Sequence, residues 1–148
     1  MNAISLDKVS LQLTKQEPQF YIEQWSIQQG DCVFLYGESG SGKSTFLNLL
    51  STILLAKSGD VSILQQSIAK MSSNQINQFR AQHIGYVFQQ FNLVPYLSVY
   101  ENLLLAARFQ KKPLDSYYLT NMLKKLSLPS SILQQRTDAL SVGQCQRI

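Results

Sequence analysis

Eight consecutive residues, Gly37-Glu38-Ser39-Gly40-Ser41-Gly42-Lys43-Ser44, have the types and spacing to grip a phosphate chain. They fit the pattern G-x-x-x-x-G-K-S/T, in which glycines let the backbone curl until successive N–H groups converge on an anion. Lys43 adds a full positive charge for the β- and γ-phosphates, and the Ser44 hydroxyl is placed to ligate Mg²⁺. Such a loop works only between a strand and a helix, which puts the phosphates at a helix N-terminus. The apolar, β-prone run Cys32-Val33-Phe34-Leu35-Tyr36 supplies the expected strand. Phe46-Leu47-Asn48-Leu49-Leu50 opens a helical pattern expected to run from Lys43 to about Leu55.

Two further segments carry polar groups at informative places. Gln89 follows Ile84-Gly85-Tyr86-Val87-Phe88, whose apolar character on both faces predicts a strand buried in a parallel sheet. A glutamine at that strand end reaches the crevice where open α/β sheets bind ligands, to meet a Mg²⁺-bound water or orient an attacking one. Taken alone, it is better read as a polar loop without a ligand. Leu140-Ser141-Val142-Gly143-Gln144 reads as a helix start capped by Ser141, and its free N–H groups offer a second anion site. Taken alone, it is an ordinary capped helix.

The elements that must position these residues divide the chain in two. Residues 4–13 and 20–27 alternate as strands, with Glu17-Pro18 between them and Gln28-Gln29-Gly30-Asp31 turning into the next strand. Val61 to Leu64 is a short strand after the Lys57-Ser58-Gly59-Asp60 turn, and 72–82 is a helix capped by Ser72 or Ser73. Beyond Gln89 the texture is helical over 98–109, 115–127 and about 130–136, with Pro113 and Pro129 as separators. This predicts an α/β fold over 1–89 and a mostly helical subdomain over 90–148.

The bulk properties narrow the partners. A chain of 148 residues with 45% apolar content has the means for a core. Thirteen basic and nine acidic side chains leave +4, scattered, which is too mild for a nucleic-acid surface. Cys32 and Cys145 lack metal-ligand spacing and fit a reduced compartment. The N-terminus carries no signal-peptide pattern, and no apolar run reaches membrane-spanning length, so no direct membrane insertion is expected.

The three motifs, in this order, resemble those of the ATP-binding cassette (ABC) family, the ATPase subunits of ABC transporters. The resemblance spans about residue 4 to 148: Gly37 to Ser44 resembles its Walker A motif, Gln89 its Q-loop, and Leu140 to Gln144 its LSGGQ signature. The stretch VFQQFNLVPYLSVYEN, Val87 to Asn102, is similar to the branch holding lipoprotein-releasing and macrolide exporters. The resemblance implies a P-loop NTPase (RecA-like) core with N-terminal antiparallel strands and a helical subdomain, in one partial nucleotide-binding domain over 1–148. It implies ATP and Mg²⁺ as ligands. Gly37, Glu38, Ser39, Gly40, Ser41, Gly42, Lys43, Ser44 and Thr45 would contact nucleotide, and Ser44 and Gln89 would attend the metal. Lys43 and Gln89 would serve the reaction. Ser141, Gly143 and Gln144 would reach the γ-phosphate held by a second nucleotide-binding domain, in a head-to-tail dimer. Transmembrane permease subunits would hold the protein on the cytoplasmic face of the plasma membrane, with closure on ATP driving export.

Departures from the family pattern carry their own expectations. Val142 replaces the first signature glycine, Cys145 replaces a glutamine, and Leu13 stands where an aromatic residue stacks on adenine, with Phe20 and Tyr21 nearby. The family's Asp-Glu strand end and downstream histidine have no counterpart in 1–148; His83 lies far upstream. That predicts a fragment deficient in hydrolysis, with an exposed sheet edge and poor solubility. The competing readings are a non-hydrolysing ATP-binding module, a small-molecule kinase sharing the loop, and a cassette ATPase acting on DNA or ribosomes.

Overall fold

The computed structural model describes residues 1–11, 20–111 and 113–148; the expectations for Leu13 and for the Glu17-Pro18 break lie outside them. Two compact units emerge, Met1–Ile84 and Gly85–Ile148.

In the first unit, β1 (Asn2–Leu11) is flanked by β2 (Phe20–Gln28) and β3 (Ser58–Ile63), and β4 (Gln66–Ser67) completes an antiparallel sheet of order β2-β1-β3-β4. Alternation puts Ile4 and Leu6 on the inner face. A register shift between Asp7 and Ser10, with Lys8 at φ 49°, then resets the phase so that Val9 and Leu11 are buried too. Against that face lie α1 (Lys43–Leu50) and α2 (Ser73–His83). Phe46 and Leu49 of α1 share one core with Leu6, Val61, Ile76 and Phe79. Burial of these side chains is the main force holding α1 to the sheet.

The expectation that α1 reaches Leu55 is corrected. It stops at Leu50, because Thr52 turns left-handed at φ 58° and the N–H groups of Ile53 and Leu54 both fold back onto the Asn48 carbonyl. β3 likewise ends at Ile63, with Leu64 and Gln65 left-handed in the turn to β4, a two-residue strand too short to leave a periodic signal.

Two predicted strands are also corrected. Residues 32–36 and 84–88 form no strand and make no ladder among the described residues. β1 already uses both its edges, and a parallel strand gains its stability only from a neighbour. Their apolar side chains are therefore exposed, with Phe34 at 86%, Tyr36 at 83% and Val87 at 97%.

In the second unit, α3 (Val99–Phe109) and α4 (Ser116–Lys125) bury Val99, Leu119 and Leu123 against Leu128 and Ile132. Ser98 and Glu101 form a capping box on α3, and Asp115 caps α4 by accepting from Tyr117 and Tyr118 N–H. The expected helix at 130–136 is a 3-10 turn over Ser130–Gln134, followed by another at Thr137–Ala139 and by α5 (Val142–Arg147). The Thr137 hydroxyl donates to the Val94 carbonyl at 2.8 Å, and the Asn102 amide spans Val94 and Ser98, so the 94–98 loop is pinned from two directions.

Candidate functional site

The start of α1 differs from that of every other α-helix among the described residues. Ser72, Ser98, Asp115 and Ser141 each cap their helix with a side-chain oxygen. At α1 the N-cap is Gly42, at φ 87°, with no side-chain cap and no acidic residue in the first turn. The Phe46 N–H reaches the Gly42 carbonyl at 2.8 Å, while the N–H groups of Lys43, Ser44 and Thr45 have no acceptor among the described residues. Unsatisfied donors at a helix start, reinforced by the helix dipole, are an anion site.

The loop before α1 is exposed throughout from Asp31 to Ser41. The Ser41 N–H closes a turn on the Glu38 carbonyl at 3.2 Å. The Lys43 ammonium folds back over this turn, donating to the carbonyls of Gly37 at 2.8 Å and Glu38 at 2.6 Å and more weakly to Ser41 Oγ at 3.4 Å. Those bonds hold the charge at the loop's mouth. The Ser44 hydroxyl is exposed and makes no hydrogen bond among the described residues, which fits a ligand to a hard cation that also takes phosphate oxygens. Glu38 contributes its carbonyl to the lysine; its carboxylate has no partner among the described residues.

An aromatic wedge supports the loop from beneath. Trp25 meets Phe46 edge-on at 4.9 Å and Phe20 lies 6.3 Å from Phe46. A Cβ at Gly42 would stand 3.5 Å from the Phe20 ring. A groove of about 360 Å³ opens beside the loop, with Phe20, Trp25, Tyr36, Ser41, Lys43 and Phe46 among its lining. The sequence reading named Phe20 only as a neighbour of the adenine contact and missed Trp25 altogether, because Trp25 lies out of phase with the alternation of Phe20 and Ile22 along β2.

Gln89 lies in the second unit, exposed, just after the apolar run in which Tyr86 and Phe88 pack 4.4 Å apart. Its amide has no partner among the described residues. Ser141 caps α5 as expected: its Oγ accepts from the Gln144 N–H at 3.3 Å, and the Gln144 side chain accepts from the Ser141 N–H at 2.9 Å. Gly143 is exposed, with nothing within 4 Å of where a Cβ would stand. Arg147 ties α5 to the end of α4, donating to the Gly143 carbonyl at 2.8 Å and the Leu126 carbonyl at 3.2 Å. Among the described residues no cluster of His, Cys, Asp and Glu could hold a metal by itself, and no helix is long and apolar enough to cross a membrane.

A helix that starts bare from a glycine-rich loop latched by its own lysine is the phosphate-binding element of P-loop proteins, and here it packs against an antiparallel sheet. The chain belongs to the ABC transporter family, whose model matches residues 23–148. It is 36% identical over 124 residues to the lipoprotein-releasing system ATP-binding protein LolD of Myxococcus xanthus, covering 82% of this chain and 55% of that one. It is 34% identical over 125 residues to the macrolide export ATP-binding/permease protein MacB of Mannheimia succiniciproducens, covering 83% and 19%. Among solved structures, the dimeric bacterial ABC transporter cassette MJ0796 matches at a TM-score of 0.79 and 30% identity, covering 97% of this chain and 66% of that one. The same cassette in a post-hydrolysis state bound to ADP and Pi matches at 0.80 and 29%, with the same coverage. The chain thus spans between 19% and 55% of these two curated relatives and 66% of the cassette.

Proposed function

We propose that this chain is the nucleotide-gripping part of an ABC transporter's ATP-binding subunit, serving export. The observation that carries this reading is the uncapped first turn of α1, with its free N–H groups and Lys43 facing one small volume. A triphosphate entering there takes over the donors of Lys43, Ser44 and Thr45, and the Lys43 ammonium exchanges loop carbonyls for charged oxygens. Hydrogen bonds to ionised acceptors are the stronger kind, so the exchange favours the bound state. Mg²⁺ would be held by the Ser44 hydroxyl together with phosphate oxygens, and would screen the charge of the polyphosphate.

The signature turn fits a role across a dimer. In its cap the Ser141 oxygen accepts, which leaves its O–H proton to donate to a γ-phosphate oxygen on a second cassette. Open space at Gly143 allows close approach by that ligand. The dimeric cassettes among the structural relatives support this reading. Gln89, unpartnered and exposed, would orient the attacking water or a metal-bound one. Membrane-spanning permease subunits would receive the motion, holding the protein at the cytoplasmic face of the membrane. On this reading the residues in 1–148 bind nucleotide but turn it over slowly: the one carboxylate inside the loop, Glu38, has no partner among the described residues to hold it on an attacking water.

Binding and turnover are to be measured separately. ATP binding by titration calorimetry, with phosphate release far slower than in a complete cassette, is the expected pair of results. Absence of binding refutes the reading; turnover at the rate of a complete cassette refutes the hydrolysis-deficient part alone.

A further inference from the structure

The phosphate loop is only as well placed as the helix it begins. α1 has eight residues, so its two ends are about 12 Å apart. Its sides are gripped by apolar contacts from Phe46 and Leu49, and such contacts are non-directional. They resist lifting the helix off the sheet far better than they resist a slide along its axis. Directed bonds are needed to fix the axial position, and the N-terminal end has none from a side-chain cap.

The other end has them. Arg80, half-buried in the last turn of α2, donates from Nε to the Ser51 carbonyl at 3.2 Å and to Thr52 Oγ1 at 3.1 Å, and from Nη2 to the Thr52 carbonyl at 2.5 Å. Nη1 is steadied within α2 by Asn77 Oδ1 at 3.3 Å. Ser51 and Thr52 are 4% and 1% exposed, so Arg80 satisfies groups that water does not reach. Thr52 is also the left-handed residue that ends α1. A guanidinium beside the last carbonyls of a helix lies where the helix dipole favours a cation. Phe79 and Ile76 of α2 enter the same core as Leu49, which fixes the base from which Arg80 reaches.

We infer that Arg80 is a positioning residue for the phosphate loop: by clamping the far end of α1, it sets where Lys43 and the free N–H groups stand. This rests on the proposed nucleotide binding. Hydrogen bonds span only about 0.5 Å in useful length, so a helix slide of 1 Å, passed rigidly to the other end, breaks the match to a bound phosphate. Lysine keeps the charge but has a single, unbranched donor head and cannot reproduce the fork.

The test uses the full-length protein and two probes, ATP and inorganic tripolyphosphate, titrated at a temperature where circular dichroism shows every variant folded. Arg80→Lys is expected to weaken both probes by about tenfold, the scale of a lost charge-assisted bond. Ile132→Val, which loosens the core of the second unit, controls for lowered stability and is expected to leave both affinities unchanged. Thr52→Val removes one acceptor while keeping shape; it is expected to weaken binding several-fold and, combined with Arg80→Lys, to add less than its own effect. Wild-type affinity in folded Arg80→Lys overturns the inference, as does an equal loss in Ile132→Val. If Arg80→Lys does not fold, Thr52→Val alone decides, and unchanged affinity there overturns it. Failure of the wild type to bind either probe removes the functional reading and this inference with it.

Discussion

Gly42 offers a clean separation of loop geometry from overall stability. It holds φ 87°, and an added Cβ would meet nothing closer than the Phe20 ring at 3.5 Å, an ordinary contact. Alanine there is therefore opposed by backbone strain alone, about 1–2 kcal/mol for a non-glycine residue in the left-handed region. Packed on the Phe20 ring on one side and open to the groove on the other, the unliganded loop relieves that strain by rotating the peptide between residues 42 and 43. The rotation turns the Lys43 N–H away from its neighbours, and binding must restore it. The strain energy is then withdrawn from nucleotide affinity, a loss of about 5- to 30-fold at 1.4 kcal/mol per tenfold. Gly30 is the matched control. It holds φ 92° in the turn after β2, with nothing within 4 Å of its Cβ position, so alanine there carries the same strain away from the phosphate loop. Titration with a fluorescent ATP analogue, alongside thermal melts, reads both variants. Gly42→Ala is expected to lose affinity and Gly30→Ala to lose only stability. Unchanged affinity in Gly42→Ala, or an equal loss in Gly30→Ala, refutes the reasoning.

Other outcomes follow from single features. Ser141→Ala removes the α5 cap, with about 1 kcal/mol of local stability, and on the proposed function it abolishes ATP-dependent dimerisation in gel filtration while leaving ATP binding by the monomer intact. Ile132→Ala empties a fully buried site in the second unit and should lower stability by roughly 2–5 kcal/mol in urea titrations. The Asp60 carboxyl is held below its ordinary value of 3.8 by the Ser62 hydroxyl at 2.7 Å and then the Ser67 hydroxyl, which outweigh the opposing effect of burial, with Lys70 adding least. A depressed native value means the stabilisation is fully present above the unfolded value and is lost as pH falls through the native one. Asp60→Asn should thus be less stable than wild type at pH 7, with the gap closing below about pH 4.

Legibility followed how local each signal was. The glycine-rich turn into α1, the caps at Ser72 and Ser141, and the alternating strands β1 and β2 were readable, because each is decided by side chains within a few residues; Ser98, the cap of α3, was read as the helix itself. Asp115 as a cap followed the same rule but sat hidden behind Pro113 and Leu114, where 115 was read as the helix itself. The runs at 32–36 and 84–88 were misread because apolar, β-branched sequence reports a preference for pairing, while pairing itself is set by neighbours far along the chain. α1's early end depends on Thr52 and on Arg80, 28 residues further on, a tertiary partnership that no helical periodicity encodes. Of the candidate site, residue types and spacing alone led to the proposal of a phosphate loop; the lysine's hold on the Gly37 and Glu38 carbonyls and the aromatic support under Gly42 were not legible, since both depend on how the chain packs.

The central claim is that one lysine and the bare start of α1 seize a triphosphate. Calorimetric titration of ATP into wild-type protein and into Lys43→Ala tests it most directly. The account predicts saturable binding by the wild type and a loss of at least about tenfold in the variant, the worth of a charge-assisted contact. Equal affinity in the two proteins would contradict it.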